Sequence, residues 1–375
     1  MNIPLFKPTV GYHEAEAVAA VLRSGWLGNG PKVREFEAAF ADYIDTTYAV
    51  ATNSCTAALH LALSCLDMEP GDEVIVPTIT FCSTAHAVIY AGGVPVFADV
   101  KADTLCLDPA SVAEKITPRT RAIVPVHYAG RPCDIPALER LAIRAPGLCA
   151  IVEDCAHAAG STFHGRKLGA FGMAGCFSFH AVKNLACGDG GMMTTDNPVI
   201  AERCRRLAWM GIDRSTYDRT AAGGYDWRYT IPELGYKCHM NDITAAIGLV
   251  QLGRLEQGNL SRRIVARTYP CRLPDFVRTP PPEGGHARSA WHIYVIQCPT
   301  GTRDDLRGYL ADRGITTGVH YQPLHTYTHV YGEQSSLPVA EAAAGRILSL
   351  PMFRGMTLEQ VNEVAAAIED FYNAR

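Results

Sequence analysis

Residues 151–196 read IVEDCAHAAGSTFHGRKLGAFGMAGCFSFHAVKNLACGDGGMMTTD, and their pattern is the strongest indication of the fold class. The apolar run 149–153 predicts a buried strand, and residues 174–179 and 190–195 predict two more. The first of these strands leads into acidic residues, of which Asp154 is the last. Because ligands of open α/β sheets gather at the carboxyl ends of the strands, this pattern predicts a functional site around Asp154.

The remainder of the chain alternates between extended and helical patterns. Further strands are predicted at 73–77, 94–98, 121–127 and 290–297. Helices are predicted at 13–23, 34–44, 57–66, 109–116, 136–144, 241–256, 303–313 and 357–372. Buried apolar strands that alternate with helices favour an α/β fold with a mostly parallel central sheet flanked by helices. A loop is predicted at 213–232, and a change of pattern predicts a large domain at 1–250 and a smaller α+β domain at 251–375.

Composition excludes several classes of protein. The 375 residues are 48% hydrophobic and 19% charged, which allows a large core and disfavours a disordered chain. The net charge of −4 shows no basic excess, so nucleic acid is not an expected partner. The N-terminus lacks the pattern of a signal peptide, and no apolar run is long enough to span a bilayer. The 13 scattered cysteines include no zinc-binding pair and indicate reduced thiols, so we expect a cytoplasmic enzyme without a metal site.

Lys183 lies between two predicted strands, near Ser178 and His180 and before the glycine-rich turn 188–191. A lysine taken alone is usually a solvated surface residue. An amine held between buried strands can instead lose its proton and act as a nucleophile toward carbonyl groups. Asp154 also has two interpretations, since it could cap a helix or hold a fixed carboxylate against a cation.

Two further segments fit the same chemistry. The turn Ser54-Cys55-Thr56 precedes the predicted helix 57–66, where N–H groups and hydroxyls suit a phosphate, although such residues also serve as ordinary caps. Phe81 follows the strand 73–77 and could either stack on a flat ring or lie in the core. A phosphate cradle, a stacking ring, a carboxylate and a nucleophilic lysine are together what pyridoxal phosphate requires.

The chain resembles the DegT/DnrJ/EryC1/StrS sugar aminotransferases, a branch of the fold-type I pyridoxal-phosphate-dependent transferases, over nearly its whole length. The most specific mark is CFSFHAVKNLACGDGGMMTTD (176–196), which follows VEDCAHAAGS (152–161). The other marks are SGWLGNGPKVREFE (24–37), TNSCTAALHLAL (52–63), PTITFCSTAHAV (77–88), LGYKCHMNDITAA (234–246), GVHYQPLH (318–325) and LSLPM (348–352). The resemblance implies an active site at the interface of a homodimer.

The resemblance also implies a role for each residue near the cofactor ring. Lys183 matches the lysine that forms the Schiff base with pyridoxal phosphate, and Asp154 matches the partner of the ring nitrogen. His157 stands where the family has Gln or His near the ring hydroxyl. Phe81 occupies the position of the stacking aromatic.

The phosphate and the substrate have matching residues of their own. Ser178 and the turn Ser54-Cys55-Thr56 match the phosphate site, and Lys237 matches a residue that reaches the phosphate of the neighbouring subunit. Cys55 replaces the usual Gly and Lys237 replaces the frequent Asn, so both contacts are expectations that depart from the family pattern. The positions that match contacts to a sugar nucleotide are Trp26, Leu27, Asn29, His180, His320, Tyr321 and His325.

The implied activity is transfer of an amino group from L-glutamate, released as 2-oxoglutarate, to a nucleotide-linked keto sugar. The SFHAVKNL and GYK variants favour amination at C4 of a 4-keto-6-deoxyhexose, with C3 amination of a 3-keto sugar as the alternative. Related dehydratases carry His in place of the lysine, so Lys183 disfavours dehydration. The remaining alternatives are a regulatory protein that binds the cofactor without turnover and an NAD-linked oxidoreductase, which the absence of a dinucleotide fingerprint disfavours.

Overall fold

The computed structural model describes residues 2–220 and 226–375. Their strands are β1 (Tyr48–Thr52), β2 (Glu73–Pro77), β3 (Val94–Ala98), β4 (Thr120–Ile123), β5 (Ala150–Asp154), β6 (Thr162–Phe163), β7 (Arg166–Lys167), β8 (Ala174–Ser178), β9 (Gly191–Thr195), β10 (Ala287–Arg288), β11 (Tyr294–Gln297) and β12 (Ile347–Leu350). Their helices are α1 (Tyr12–Ser24), α2 (Pro31–Ile44), α3 (Cys55–Ser64), α4 (Ser83–Tyr90), α5 (Pro109–Lys115), α6 (Ile135–Arg144), α7 (Pro198–Ala208), α8 (Thr216–Thr220), α9 (Asp242–Leu252), α10 (Leu255–Thr268), α11 (Arg303–Asp312), α12 (Thr328–Tyr331), α13 (Pro338–Ala344) and α14 (Leu358–Asn373).

Seven strands form the central sheet, in the order β1-β9-β8-β5-β4-β2-β3. β9 pairs antiparallel with β1 and β8, and the other neighbouring pairs are parallel. The prediction of a mostly parallel α/β sheet is therefore confirmed. Because β2, β4, β5 and β8 run in the same direction, their carboxyl ends lie along one edge of the sheet.

Different helices pack on the two faces of the sheet. Cys176 of β8 and Met193 of β9 join a hydrophobic cluster with α3, whereas Phe177 and Met192 join a cluster with α2. Phe40 of α2 meets Phe177 with ring centroids 4.9 Å apart. Successive side chains of a strand point to opposite faces, so a sheet covered on both sides needs apolar residues at nearly every position.

One predicted helix and one predicted loop differ from the structure. The helix predicted at 241–256 is present as α9 but ends at Leu252, because the chain breaks at Gly253, where glycine weakens a helix, and α10 follows as a separate helix. The loop predicted at 213–232 contains the short helix α8, and its residues 221–225 lie outside the described part of the chain. β1, α4 and β12 were not predicted, since elements this short show weak periodicity. α7 and most of α10 were also not predicted, although they contain 11 and 14 residues.

Two predicted strands are shorter in the structure. The strand predicted at 121–127 ends at Ile123, because Pro125 has no N–H group with which to continue the ladder. The strand predicted at 290–297 begins only at Tyr294. The residues that were predicted as strand but lie outside β4 and β11 are 124–127 and 290–293. Each of these segments contains a buried histidine whose polar contacts are described below.

The C-terminal part is built on the antiparallel pair β11 and β12 and has its own hydrophobic cluster with α10, α11 and α14. The N-terminal segment joins this cluster. Ile3 forms a parallel bridge with Ile315, and the Met352 N–H donates to the Leu5 carbonyl at 3.1 Å. The division of the chain at residue 250 stays a prediction, and these first residues pack with the smaller of the two predicted domains.

No helix in residues 2–220 and 226–375 combines the length and the apolar character needed to cross a membrane. All thirteen cysteines carry free thiols.

The buried carboxylate of Glu153 fixes the end of β5. Its oxygens accept hydrogen bonds from three backbone N–H groups of the loop 169–172, at 2.8–3.0 Å. His127 Nε2 donates a further bond at 3.0 Å, because His127 Nδ1 already accepts from the Cys133 N–H. Burial acts to raise the pKa of Glu153, but His127 and the backbone donors outweigh it and lower the pKa. The carboxylate therefore ties the loop before β8 to the end of β5.

Replacing Glu153 with Gln is expected to lower the free energy of unfolding by about 2–4 kcal/mol, because the new amide NH₂ would face backbone N–H donors. Urea unfolding followed by circular dichroism measures this change. Glu202→Gln, at an exposed position of α7, is the matched control and should change the free energy by less than about 0.5 kcal/mol. Equal stabilities of the two variants would contradict the structural role given to Glu153.

Candidate active site

Asp154 is the last residue of β5 and is buried at the carboxyl edge of the sheet. Its Oδ2 accepts a hydrogen bond from Thr84 Oγ1 at 2.8 Å, and its Oδ1 accepts from the Ala156 N–H at 3.0 Å. Since Thr84 directs its proton at the carboxylate, it accepts in turn from Thr80 Oγ1 at 2.8 Å. Burial raises the pKa of Asp154, while the two hydrogen bonds and the amine of Lys183 oppose that rise. The carboxylate is thus held in one orientation near a group that can carry positive charge.

Lys183 lies in the connection between β8 and β9. Its Nζ is 3.4 Å from His292 Nε2. Burial lowers the pKa of Lys183 to about 8, although Cys55 and Asp154 favour the charged form. A lowered pKa leaves a useful fraction of neutral amine near neutral pH, which a nucleophilic lysine needs. The structure therefore disfavours the interpretation of Lys183 as a solvated surface residue.

Three histidines surround this amine: His157, His292 and His320. His157 Nδ1 accepts from the Ala129 N–H at 3.3 Å, so its Nε2 carries the proton and donates to Tyr321 Oη at 3.3 Å. The rings of His157 and His292 lie 4.5 Å apart. Burial, followed by the charge of the nearby lysine, lowers the pKa of all three, to about 4 for His320. The three rings are therefore neutral at neutral pH.

The N-terminus of α3 forms a candidate phosphate site. Ser54 Oγ accepts from the third N–H of the helix at 3.1 Å, and the first two, of Cys55 and Thr56, have no intrahelical acceptor. A Cβ built on Gly191 would lie 2.4 Å from the Ser54 backbone, so only glycine allows β9 to pass this close to the turn. Ser178 pairs with Gly191 across β8 and β9 and lies at the same edge.

Cys55 takes the place of the usual glycine without projecting out of the turn. Its side chain is buried, and its Sγ donates to the Cys176 carbonyl at 3.4 Å. The side chain therefore points between α3 and the sheet. The backbone N–H groups stay at the helix start, where the helix dipole favours an anion.

Phe81 follows β2 and is 57% exposed. Its ring centroid is 5.9 Å from that of Tyr321, which also contacts His157. The alternative in which Phe81 belongs to the core is wrong. An exposed aromatic ring at the carboxyl edge of the sheet offers a face for a flat ligand.

Together these groups fit pyridoxal phosphate. The start of α3 and Ser178 offer donors for the phosphate, and Phe81 offers a stacking face. Asp154 offers a carboxylate to a protonated ring nitrogen, and Lys183 offers an amine to the aldehyde. The structure brings these five features, which come from four separate segments of the sequence, to one edge of the sheet.

Four of the predicted residues lie elsewhere. Trp26, Leu27, Asn29 and Lys237 line a separate cavity of about 760 Å³. Trp26 Nε1 donates to the Asn29 carbonyl at 3.2 Å, and Lys237 Nζ lies 3.6 Å from the centroid of the Trp209 ring. Within the described part of its own chain, Lys237 therefore faces this cavity rather than the turn at α3.

The three predicted histidines lie in different surroundings. His320 lies at the site, whereas His325 is buried away from it, with its Nδ1 2.7 Å from Thr78 Oγ1 and its Nε2 3.1 Å from Glu341 Oε1. Both nitrogens of His325 are thus engaged in holding its turn. His180 is exposed in the connection that carries the lysine.

Sequence reasoning missed Thr84, Asn184, His292 and Phe6. Thr84 and Asn184 stand inside segments that carry the family resemblance, but nothing in their residue type assigned them a role. Phe6 and His292 come from opposite ends of the chain, and their rings stack with centroids 5.6 Å apart. No local pattern could have indicated that contact.

A sequence model of the DegT/DnrJ/EryC1/StrS aminotransferase family matches residues 8–369. The spore coat polysaccharide biosynthesis protein SpsC of Bacillus subtilis is 40% identical over 380 residues, which cover 98% of this chain and 96% of SpsC.

Solved structures are similar over the same length. The aminotransferase TlmJ from Streptoalloteichus hindustanus has a TM-score of 0.93 and 37% identity, with 100% of both chains covered. Spr1654 from Streptococcus pneumoniae is 31% identical in each of two forms. Its PMP form has a TM-score of 0.93 with 100% of both chains covered, and its PLP form has 0.91 with 99% of both covered. These likenesses confirm the prediction of a fold-type I transferase.

Chemical labelling of the cofactor-free chain tests the lowered pKa of Lys183. The rate of its acetylation, followed by peptide mass spectrometry across the neutral and alkaline range, should rise with a midpoint at about pH 8, because only the neutral amine reacts. A synthetic peptide of residues 179–187 is the reference, and its lysine should have a midpoint near the usual pKa of about 10.4. Equal midpoints in protein and peptide would show that burial does not perturb this amine.

Proposed function

The chain belongs to the DegT/DnrJ/EryC1/StrS aminotransferase family, and on this basis we propose that it is a pyridoxal-phosphate-dependent enzyme that moves an amino group from L-glutamate to a nucleotide-linked keto sugar. The observation that carries the proposal is the amine of Lys183, with its pKa lowered to about 8, near the oriented carboxylate of Asp154. The likeness to a polysaccharide biosynthesis protein supports a sugar as the acceptor.

Different residues of the site would bind different parts of the cofactor. When bound, pyridoxal phosphate supplies an aldehyde that bonds to amino groups and a ring that accepts the electron pair left on the donor carbon. Asp154 would keep a proton on the ring nitrogen, and Thr84 orients its carboxylate. The N-terminus of α3 and Ser178 would hold the phosphate.

Lys183 would move the proton. As a neutral amine it would take a proton from the α-carbon of the donor, and as an ammonium group it would return that proton to the cofactor carbon on the other side of the amino nitrogen, two bonds away. A pKa of about 8 suits both steps, because both protonation states are populated near neutral pH. Water would supply the carbonyl oxygen of the 2-oxoglutarate that leaves, and the amino group would stay with the bound cofactor. The reverse steps would deliver that amino group to the sugar, whose carbonyl oxygen would leave as water.

The proposed acceptor is the C4 carbonyl of a 4-keto-6-deoxyhexose linked to a nucleoside diphosphate. The SFHAVKNL (178–185) and GYK (235–237) segments support it by their likeness to family members that act on such sugars. C3 amination of a 3-keto sugar is the alternative, since the same catalytic residues serve both. The position of the new amine in the product, read by NMR, separates the two.

We further propose a cytoplasmic homodimer in which each subunit completes the site of the other. Lys237 is exposed and faces the cavity lined by Trp26, Leu27 and Asn29, away from the phosphate turn of its own chain. This placement supports a contact of Lys237 with the partner's phosphate. The free thiols support a reducing compartment.

Replacing Lys183 with Ala should abolish the visible absorption band of the lysine-linked cofactor and lower turnover by more than about 10³-fold, because both the nucleophile and the proton carrier are lost. Absorbance and the yield of amino sugar measure these effects. Lys7→Ala, at an exposed position, is the matched control and should retain both. Full activity of the Lys183→Ala chain would rule the mechanism out.

A panel of keto-sugar nucleotides separates an enzyme from a regulatory protein. In the wild-type chain L-glutamate should bleach the visible band, and one of the sugars should restore it. A band that neither responds to glutamate nor supports turnover of any sugar would favour a protein that binds the cofactor without chemistry.

Replacing Asp154 with Asn should lower kcat by about 10²–10³-fold while the cofactor stays bound, because a neutral amide does not hold a proton on the ring nitrogen. Steady-state kinetics and the absorbance of bound cofactor provide the two readouts. Asp312→Asn, at an exposed position, is the control and should leave kcat unchanged. If Asp154→Asn retained the wild-type kcat, the carboxylate would have no part in the reaction.

A further inference from the structure

His292 is a buried residue to which the mechanism above gives no role. It lies just before β11, and its Nε2 is 3.4 Å from Lys183 Nζ. Its ring stacks on that of Phe6, with 7° between the ring planes. The N-terminal segment thus holds the imidazole in place beside the amine.

Hydrogen bonds to backbone carbonyls decide which nitrogen of His292 carries the proton. Asn184 Nδ2 donates to the Ala290 carbonyl at 2.7 Å, so Asn184 Oδ1 is the atom that faces His292 Nδ1 at 3.1 Å. Asn259 is oriented in the same way, because its Nδ2 donates to the Ala159 carbonyl at 2.9 Å and its Oδ1 accepts from Asn184 at 2.8 Å. An amide oxygen only accepts, so His292 Nδ1 carries the proton.

With its proton on Nδ1, neutral His292 presents a lone pair at Nε2. Burial lowers the pKa of His292 well below its usual range, and Lys183, His157, Arg262 and His320 add to this effect in that order. The ring therefore does not gain a second proton near neutral pH. Its Nε2 can only accept a hydrogen bond, and the group that faces it is the amine.

We infer that His292 is a positioning residue whose acceptor-only Nε2 holds the amine of Lys183 while that amine is free of the cofactor. The inference rests on the proposed function, in which Lys183 must stay beside the reacting carbon after the donor has displaced it. Lysine has a flexible four-carbon stem, and a directed hydrogen bond restricts where its amine goes. Asn184 and Asn259 act through His292 by fixing its tautomer.

The other groups around Lys183 define what the loss of His292 should do. Asp154 and Cys55 favour the charged amine, and His157 and His320 lie close enough to interact with its charge. A lone pair directed at Nζ also favours the ammonium form, because hydrogen bonds to charged groups are stronger than those to neutral groups. Removing it should therefore shift the titration of Lys183 to lower pH.

Two substitutions separate the lone pair from the packing of the ring. His292→Phe keeps a flat ring against Phe6 and removes both nitrogens, whereas His292→Gln keeps an amide oxygen that can accept from Lys183. Acetylation of Lys183 in the cofactor-free chain should have a midpoint about half to one pH unit below wild type in the Phe variant. The Gln variant should lie within about 0.3 pH unit of wild type, because it restores an acceptor.

The half-reaction with L-glutamate gives a second readout. Bleaching of the cofactor band in a single turnover should slow by about 10–100-fold in the Phe variant, because the freed amine is no longer held near the donor carbon. The glutamate concentration that gives half the maximal rate should not change. The Gln variant should recover most of the rate.

Thermal unfolding shows first whether each variant folds. A folded Phe variant with the wild-type midpoint and bleaching rate would overturn the inference, and so would equal effects of Phe and Gln, which would assign the role to ring packing. If the Phe variant does not fold, Asn184→Ala tests the inference instead. This substitution leaves the His292 ring and its stack on Phe6 in place but removes the acceptor that fixes the tautomer of His292. The midpoint of Lys183 acetylation should then fall by a smaller amount than in the Phe variant, and an unchanged midpoint would overturn the inference. Labelling needs neither cofactor nor sugar, so failure of the keto-sugar assay would count against the proposed function alone.

Discussion

Two consecutive buried carboxylates end β5, and the two-residue period of a strand sends them to opposite faces of the sheet. A buried carboxylate is tolerated only where hydrogen bonds or opposite charges compensate for the loss of water. Glu153 is compensated by His127 and the loop 169–172, and Asp154 by Thr84 and the amine of Lys183. Each carboxylate therefore fixes the elements around it, one for the scaffold and one for the site.

The electrostatics of the site leave a single amine poised to change its charge near neutral pH. His157, His292 and His320 surround Lys183, yet burial keeps all three neutral. Neutral rings do not carry a charge next to the amine, and they offer lone pairs and N–H groups in fixed directions. Burial lowers the pKa of the amine to about 8, even though Cys55 and Asp154 favour its charged form.

The site lies where distant parts of the chain meet. Asp154 and Lys183 come from the large sheet, His292 and His320 from the C-terminal part, and Phe6 from a segment that packs with the C-terminal cluster. A hydrogen-bonded chain from Asn259 through Asn184 to His292 joins these parts at the amine. The position of the amine thus depends on how the C-terminal part is seated against the sheet.

The sequence alone determined the parallel α/β sheet, the strand that ends at Asp154 and the lysine between β8 and β9. These are local properties, because hydrophobic periodicity and a short motif depend on neighbouring residues. The prediction that the Trp26 and His320 segments both contact the sugar nucleotide stays a prediction, since within one chain Trp26 lines a cavity that His320 does not line.

Only the tertiary structure decided that His325 is engaged by Thr78 and Glu341 and that Asn184 fixes the tautomer of His292. Each of these facts depends on the direction of a hydrogen bond between residues far apart in the chain. Packing sets those directions, and no local pattern of residue types records them.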